Sequence, residues 1–461
     1  MKLAIGLLAA ALLPGSALAL EATGVLKRAS AAMGLDEART LKYSAAGSGG
    51  GFGQPYTAGK ALPRLNVSFV RSVNYDTGAL QDEYVRSRAE QRVTEVISGD
   101  YAWNVVGNNP AAGPRYLSER RPAPWLTPHG VIRAALKADA TMEWKGKTAV
   151  VSFAEPGKYK ATAYINGDYL VERVDAVVPN AVMGDVPVTY IYSEYRDFGK
   201  IKFPTRIEER TAGMSTLNVI VTDVQPNAKV EIAVPDAVSG AKETVQVQKA
   251  ADGVWYVAGG SHNSVAIEMK DHMIVVEGPL FDGRAVPVIE EVKKLAPQKP
   301  IRYVVNSHVH FDHSGGLAAF VAEGATIVTH ASNRAFLHKA LTSPRTVAPD
   351  RLAGTKKRPE FKAVNDKAVL SDGARAVELH HIRGTVHNDG MLMAYLPKEK
   401  ILIEADVYTP GAPNAPAPAK PSPTTVNLVE NVERLKLQVD QVLPLHGRMV
   451  PGAEMLKAAR R

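Results

Sequence analysis

Asn306-Ser307-His308-Val309-His310-Phe311-Asp312-His313-Ser314-Gly315-Gly316 decides how the rest of the chain is read. Three histidines and one aspartate fall within six residues. The apolar run Ile301–Asn306 before them predicts a buried strand, and Gly315–Ala322 after them an apolar helix, so the cluster sits on a strand-to-helix junction. His308 and His310 are two residues apart, and an extended backbone points such a pair to one face. Asp312 and His313 come next in the turn and aim at a second point a few ångströms away, while the two glycines let the helix start pack closely. Imidazole and carboxylate are the N and O donors that suit zinc, and two clusters of them suit a dinuclear site.

Outward from this junction, the stretch from Val245 to Arg461 reads as strands followed by helices. Val254–Ala258, Val265–Met269, Met273–Glu277, Thr326–Thr329, Val377–His381, Met391–Leu396, Ile401–Glu404 and Val442–Leu445 predict strands, and Gly283–Leu295, Asn333–Leu341 and Val426–Leu437 predict helices. Such alternation argues for sheets covered by helices. Two loops interrupt it: basic Ser343–Lys362, with Lys356, Lys357 and Arg358, and proline-rich Thr409–Thr424, which is stiff and extended.

The earlier half differs. Leu65–Tyr75, Ala149–Phe153, Lys160–Ile165, Tyr169–Val177, Val188–Tyr195 and Thr216–Val224 predict strands of an antiparallel sheet, with short helices near Leu20–Met33 and His129–Lys137. Of twelve histidines only His129 precedes residue 250, so this half is a poor place for chemistry. Gly47-Ser48-Gly49-Gly50-Gly51-Phe52-Gly53 lacks the Gly-Lys-Ser/Thr ending of a phosphate loop and reads as a flexible loop.

Composition narrows the classes. With 461 residues, 45% hydrophobic and 22% charged, the chain is globular and of two or three domains. Its net charge of +8 is spread without a basic stripe, which argues against nucleic acid as a partner. With no cysteine, disulfides, thiolate nucleophiles and Cys-zinc sites are excluded. Lys2, the apolar run Leu3–Leu13 and Ala17-Leu18-Ala19 have the layout of a secretory signal peptide over residues 1–19. No later apolar run is long enough for a membrane span, so a periplasmic or secreted protein is expected. The sequence leaves room for a homo-oligomer.

At His-x-His-x-Asp-His the chain resembles the metallo-β-lactamase-fold zinc hydrolases, over about residues 245–461. The resemblance implies an α+β protein: a C-terminal αββα metallo-β-lactamase-like sandwich, preceded by a β-rich antiparallel-sheet domain over 20–244. It implies two zinc ions per chain, one held by His308, His310 and His387, the other by Asp312, His313 and His446, with Asp406 bridging. His387 stands in Val386-His387-Asn388-Asp389-Gly390, a departure from the Gly-His-Thr-x-Gly usual in the β-lactamase branch. His330, His338, His380 and His381 fall outside the pattern and read as structural.

A pair of zinc ions implies a bound water acidic enough to give hydroxide at neutral pH, attacking a carbonyl or phosphoryl centre. Asp312 is the candidate catalytic residue that orients the nucleophile and carries a proton to the leaving group. Asn388 and Tyr408, each beside an expected ligand in sequence, are candidates for hydrogen-bonding the substrate oxygen, Tyr408 the more attractive. The expected function is hydrolysis of an ester, lactone or amide-like bond in a small molecule. The alternatives are a β-lactamase, a phosphodiesterase, or a non-catalytic carrier with a structural metal. All expected ligands lie in His308–His446, so a fragment Val245–Arg461 is expected to carry the complete site.

Overall fold

The structure, a computed structural model, describes residues 14–86, 91–155, 157–413 and 420–460, with backbone only for 14–20 and Gln91. Most of the expected signal peptide and the centre of the proline-rich loop lie outside the described residues. The first helix is Pro14–Met33, so it begins before the Leu20 expected from sequence. Among the described residues no helix is long and apolar enough to cross a membrane.

The chain divides into two compact units. The first holds residues up to Gly49, Leu65–Val178 and Pro187–Ser239. The second holds Gly240–Arg461 together with two short segments from earlier in the chain, Gly50–Arg64 and Pro179–Val186. A single cut at residue 245 therefore misses those two segments.

The first unit is built on a 13-stranded sheet made of two meanders. One runs from Thr40–Gly50 out to Asn109–Ala112, the other from Thr141–Lys145 to Met214–Pro226, and the first and last strands of the pair join antiparallel. Gly47, Ser48 and Gly49 belong to that junction, opposite Val219, Asn218 and Leu217. The expected flexible loop is thus half strand. The helices Pro14–Met33 and Pro128–Lys137 bury Val25, Leu26 and Met33, and Val131, Ile132 and Ala135.

The second unit has a seven-stranded and a six-stranded sheet. In the first, Gln246–Ala251, Val254–Ala258, Ser264–Glu268 and Met273–Val276 pair antiparallel, and then Ile301–Val305, Thr326–His330 and Phe361–Val364 add in parallel. In the second, Ile401–Glu404 and Gln441–Pro444 are parallel at the centre of an otherwise antiparallel array. The strands are apolar on both faces, and the period of two sorts their residues into separate cores. Met273 and Val275 pack with Val288, Val292 and Phe320 of the helices Asp282–Leu295 and Leu317–Glu323. Ile274 and Val276 pack instead with Leu379, Ile403 and Leu443 of the other sheet. A third cluster joins Met393, Leu402 and Val442 to the helices Pro423–Arg434 and Gly452–Ala459. Loops at the C-terminal ends of the parallel strands are where such sheets place ligands.

Candidate metal centre

The expected histidines sit in loops at strand ends, His387 in the one between Ala376–His381 and Leu392–Leu396. Ile301–Val305 leads to His308, and the chain then enters the one-turn helix Phe311–Ser314 with His310 at its N-cap. Asn306 holds this turn: its Nδ2 donates to the carbonyls of His308 (2.6 Å) and His313 (3.2 Å), and its Oδ1 accepts from Thr329 at 3.1 Å. The two glycines are needed for space. A Cβ on Gly316 would lie 2.7 Å from Ala285 Cβ, and one on Gly315 would overlap the Leu280 carbonyl. His446 follows Gln441–Pro444 and Asp406 follows Ile401–Glu404. Asp406 has φ 60, the left-handed region, a strained conformation of the kind that collects at functional sites.

The carboxylate of Asp406 lies among four rings. Its Oδ2 is 3.2 Å from His308 Nε2, 2.9 Å from His313 Nε2 and 3.2 Å from His387 Nε2, and its Oδ1 is 2.9 Å from His446 Nε2. The Nε2 atoms of His308 and His387 are 3.3 Å apart, those of His313 and His446 3.2 Å. Two groups result, each with its ligand atoms within 4.8 Å of one another: His308, His310, His387 and Asp406, and His262, His313 and His446. Six of the seven expected ligands fall in these groups. Asp312 stands beside the second, its Oδ2 3.4 Å from His262 Nε2 and 4.0 Å from His313 Nε2.

For three of the rings the partner of the outer nitrogen shows that the inner one is a lone pair. His446 Nδ1 faces the Ser261 carbonyl at 2.8 Å and His310 Nε2 the Pro55 carbonyl at 3.0 Å, and a carbonyl only accepts. His313 Nδ1 faces the Glu277 carboxylate at 3.0 Å. Ser307 spends its hydroxyl proton on Glu277, so it must accept from His308 Nδ1 at 3.0 Å. With those outer positions donating, His308 Nε2, His446 Nε2 and the otherwise unpartnered, buried His310 Nδ1 turn lone pairs inward, toward each other and a carboxylate. Lone pairs at such separations repel unless a cation lies between them, and outer-sphere acceptors of this kind are what orient metal-binding histidines. The residues therefore fit a metal ion in each group.

Ionisation obeys the same logic. Burial lowers His310 to about 4 and His262 to about 4, and burial with the neighbouring rings holds His308 well below its ordinary value, so all three are neutral. Burial also disfavours a charged His313, but the carboxylates of Asp406 and Glu277 outweigh it and raise the ring well above its ordinary value. Burial likewise opposes the Asp406 anion, yet the surrounding rings, His313 first, hold it far below the usual carboxylate range. A proton on His313 competes for the place a metal ion would take.

Two contributors were missed in the sequence. One is His262, reached from the strand Ser264–Glu268 and buried against His446 and His313, with ring centroids at 4.3 and 5.1 Å. The other is the segment Gly50–Arg64. Gly53 O accepts from Phe311 N at 3.1 Å, Gln54 Nε2 donates to Asp312 Oδ1 at 2.9 Å, and Tyr56 O accepts from Asp389 N at 2.9 Å. Pro55 O receives both His310 and Asn388 Nδ2, the latter at 2.9 Å. Gly53 has φ 82, and a Cβ there would meet the Phe311 ring at 2.7 Å. The reading of this glycine-rich stretch as a bland loop is thus corrected: both ligand groups lie within Val245–Arg461, as expected, but Gly50–Arg64 supplies hydrogen bonds that support them. A glycine cluster is a real signal of close approach, but nothing local to it says what is approached.

Other candidates go elsewhere. Tyr408 packs in the core with Ile382, Met391 and Leu428, its N–H bonded to Glu404, and among the described residues no hydrogen bond joins its hydroxyl to the histidines. Asn388 is spent on Pro55 and on Gly390 N at 2.9 Å, which leaves little for a substrate. Lys357 Nζ lies beside Gly324, at the end of the helix Leu317–Glu323. His380 Nε2 pairs with Glu378 at 2.9 Å, His381 Nε2 with the Asp389 carbonyl at 2.8 Å, and His381 stacks on His330 at 4.2 Å.

Residues 257–424 match the metallo-beta-lactamase superfamily. The match bears out the partial resemblance read at His-x-His-x-Asp-His. A curated relative, 2,4-dinitroanisole O-demethylase subunit alpha of Nocardioides sp. (strain JS1661), is 25% identical over 163 residues, 34% of this chain and 44% of that protein. The alignment thus spans less than half the length of that relative. Among solved structures, a metallo-beta-lactamase from Pontibacter korlensis is similar at 16% identity, with 47% of this chain and 97% of that one covered and a TM-score of 0.37. The rubredoxin oxygen:oxidoreductase of Desulfovibrio gigas is similar at 19% identity, with 46% and 59% covered and a TM-score of 0.36.

Proposed function

We propose that the protein is an exported hydrolase that works with two zinc ions and cleaves an ester, lactone or amide-like bond in a small molecule. The observation that carries this reading is the convergence of imidazole lone pairs on the Asp406 carboxylate. His308 Nε2, His310 Nδ1 and His387 Nε2 would hold one ion, and His313 and His446 take part in holding the other. Bound zinc supplies Lewis acidity and lowers the pKa of water from about 15.7 to near 7.

The chain's own residues do the rest. Asp406 fixes the spacing of the two groups through contacts with four rings. Glu277, fully buried, sets the tautomer of one ring in each group through His313 and Ser307. Asp312 is the one carboxylate of the centre with a partly exposed side chain outside both ligand groups, aligned by Gln54 and His262. Its proposed role is to take a proton from the nucleophile and return it to the leaving group. Export rests on the arrangement of Lys2, Leu3–Leu13 and Ala17–Ala19.

The test is a panel assay of purified, zinc-loaded full-length protein: aryl ester, lactone, chromogenic β-lactam, phosphodiester and, given the relative described as an O-demethylase subunit, an aryl methyl ether. Turnover of an ester or lactone that a chelator abolishes and zinc restores is the expected outcome. No turnover on any member, with metal shown to be bound, would refute the hydrolase reading and favour a carrier.

A further inference from the structure

We propose that His262 is a ligand of the second metal ion, and that Asp312, placed in that shell by the family resemblance, stands outside it as a proton-handling group. The proposal rests on the dinuclear reading above and refines its second site. His262 has a ring nitrogen within 4.8 Å of ring nitrogens of His313 and His446, and its Nδ1 already faces the Ser261 hydroxyl, which leaves Nε2 for an ion. With Asp406 they make four donors, the number a zinc ion commonly takes.

His262 is held there by its neighbours. Ser261 serves two rings at once: its carbonyl accepts from His446 Nδ1 at 2.8 Å, and its hydroxyl lies 2.8 Å from His262 Nδ1. Asn263, buried, ties the same turn to the His446 loop, with its N–H on the Leu445 carbonyl at 2.9 Å and its Nδ2 on the Gly447 carbonyl at 3.1 Å. The loops carrying His262 and His446 therefore move as one. Asp312 is held differently. Its Oδ1 is engaged by Gln54, its Oδ2 lies 3.4 Å from His262 Nε2 and 4.0 Å from His313 Nε2, and it falls outside the group that His262, His313 and His446 form. A second shell of three imidazoles and one shared carboxylate also carries one negative charge fewer than a shell that includes Asp312. Such a shell is built from the donor that suits zinc, copper, iron and nickel alike.

The test compares full-length wild type, His262→Ala and Asp312→Asn by metal content after equilibrium dialysis, and by the visible spectrum of the cobalt-substituted proteins. No substrate is needed. For wild type, two ions are expected. His262→Ala should retain one ion and lose the cobalt bands of the second site. Asp312→Asn should retain both ions and an unchanged spectrum, while any measurable turnover falls. If His262→Ala does not fold, X-ray absorption on the wild-type zinc protein counts the ligands, with six imidazoles over two metals expected and five refuting the proposal. Two ions in His262→Ala with an unaltered spectrum, or loss of an ion in Asp312→Asn, would overturn it as well. Fewer than two ions in wild type overturns the dinuclear reading itself, and this inference with it. A dinuclear protein without turnover leaves this inference standing while the hydrolase reading falls.

Discussion

Replacing Glu277 by glutamine removes one charge from the centre without changing its shape. The carboxylate accepts two hydrogen bonds through Oε2, from His313 Nδ1 at 3.0 Å and from Ser307, whose oxygen in turn holds His308 Nδ1 at 3.0 Å. It is fully buried, so water does not compensate for its loss. Hydrogen bonds to a charged partner contribute about 1.5–3 kcal/mol and neutral ones about 0.5–1.5. Neutralising the acceptor of two such bonds therefore costs about 2–3 kcal/mol, a roughly 30–150-fold loss. That range overlaps the about 10–100-fold known for outer-sphere partners of metal ligands. Because the two bonds steer one ring of each group, both ions should bind more weakly. A competition titration of zinc against a chromogenic chelator measures this. Alkaline buffer is preferred, because the variant also loosens the proton on His313, which offsets part of the loss. A folded Glu277→Gln protein with zinc affinity within about twofold of wild type would refute the tautomer argument.

Elemental analysis of protein prepared without chelator should give about two zinc ions per chain, since two ligand groups are present and a tetrahedral ion uses four donors; one or fewer, unresponsive to added zinc, removes the dinuclear mechanism. His310→Ala and His446→Ala should each cut turnover by orders of magnitude, and His380→Ala, whose ring pairs with Glu378, far less; equal severity would mean the ligands are misassigned. Gly53→Ala forces a Cβ to within 2.7 Å of the Phe311 ring at φ 82, so zinc affinity should fall, while Gly99→Ala, with φ 57 and nothing within 4 Å, should leave it unchanged. Burial lowers His129 from 6.5 to about 4 in the folded protein, so the unfolded chain takes up the proton first. Stability is then complete above 6.5 and declines as pH falls toward about 4, by about 3 kcal/mol in total. Urea midpoints measured across that interval should show the decline in wild type and a flatter profile in His129→Gln.

Much of the second unit was legible because its signals are local. The apolar runs Ile301–Asn306 and Ile401–Glu404 announce buried strands, and His308–His313 places its rings by spacing alone. His387, Asp406 and His446 needed the resemblance, since a single histidine or aspartate after a strand carries no pattern of its own. His262 had no such support: it precedes its strand, and its role depends on a partner about 180 residues later, as the Asn263–Leu445 bond shows. Gln54 and Pro55 were hidden for a different reason. Pro55 acts through its backbone carbonyl, which every residue possesses, so side-chain chemistry leaves no trace of it. The first-unit strands Ala79–Arg86 and Gln91–Ser98 escaped notice because charged residues such as Asp82, Glu83, Arg92 and Glu95 break the alternation, and Arg71 with Asp82 forms a buried ion pair between neighbouring strands.

The bonds from Pro55 to His310 and to Asn388 span 255 and 333 residues of chain. A ribosome adding about 5–20 residues per second needs roughly 17–70 s to travel from Pro55 to Asn388. Until His310–Asp312 are made, Gly53, Gln54 and Pro55 lack the partners they bond in the fold, and the loops bearing His262 and His308–His313 then wait for His387, Asp406 and His446. The centre is thus among the last parts of the molecule to form. Its order also sets the penalty for interruption: a chain that stops before Asp406 holds neither complete group, and one that stops between Asp406 and His446 lacks the second.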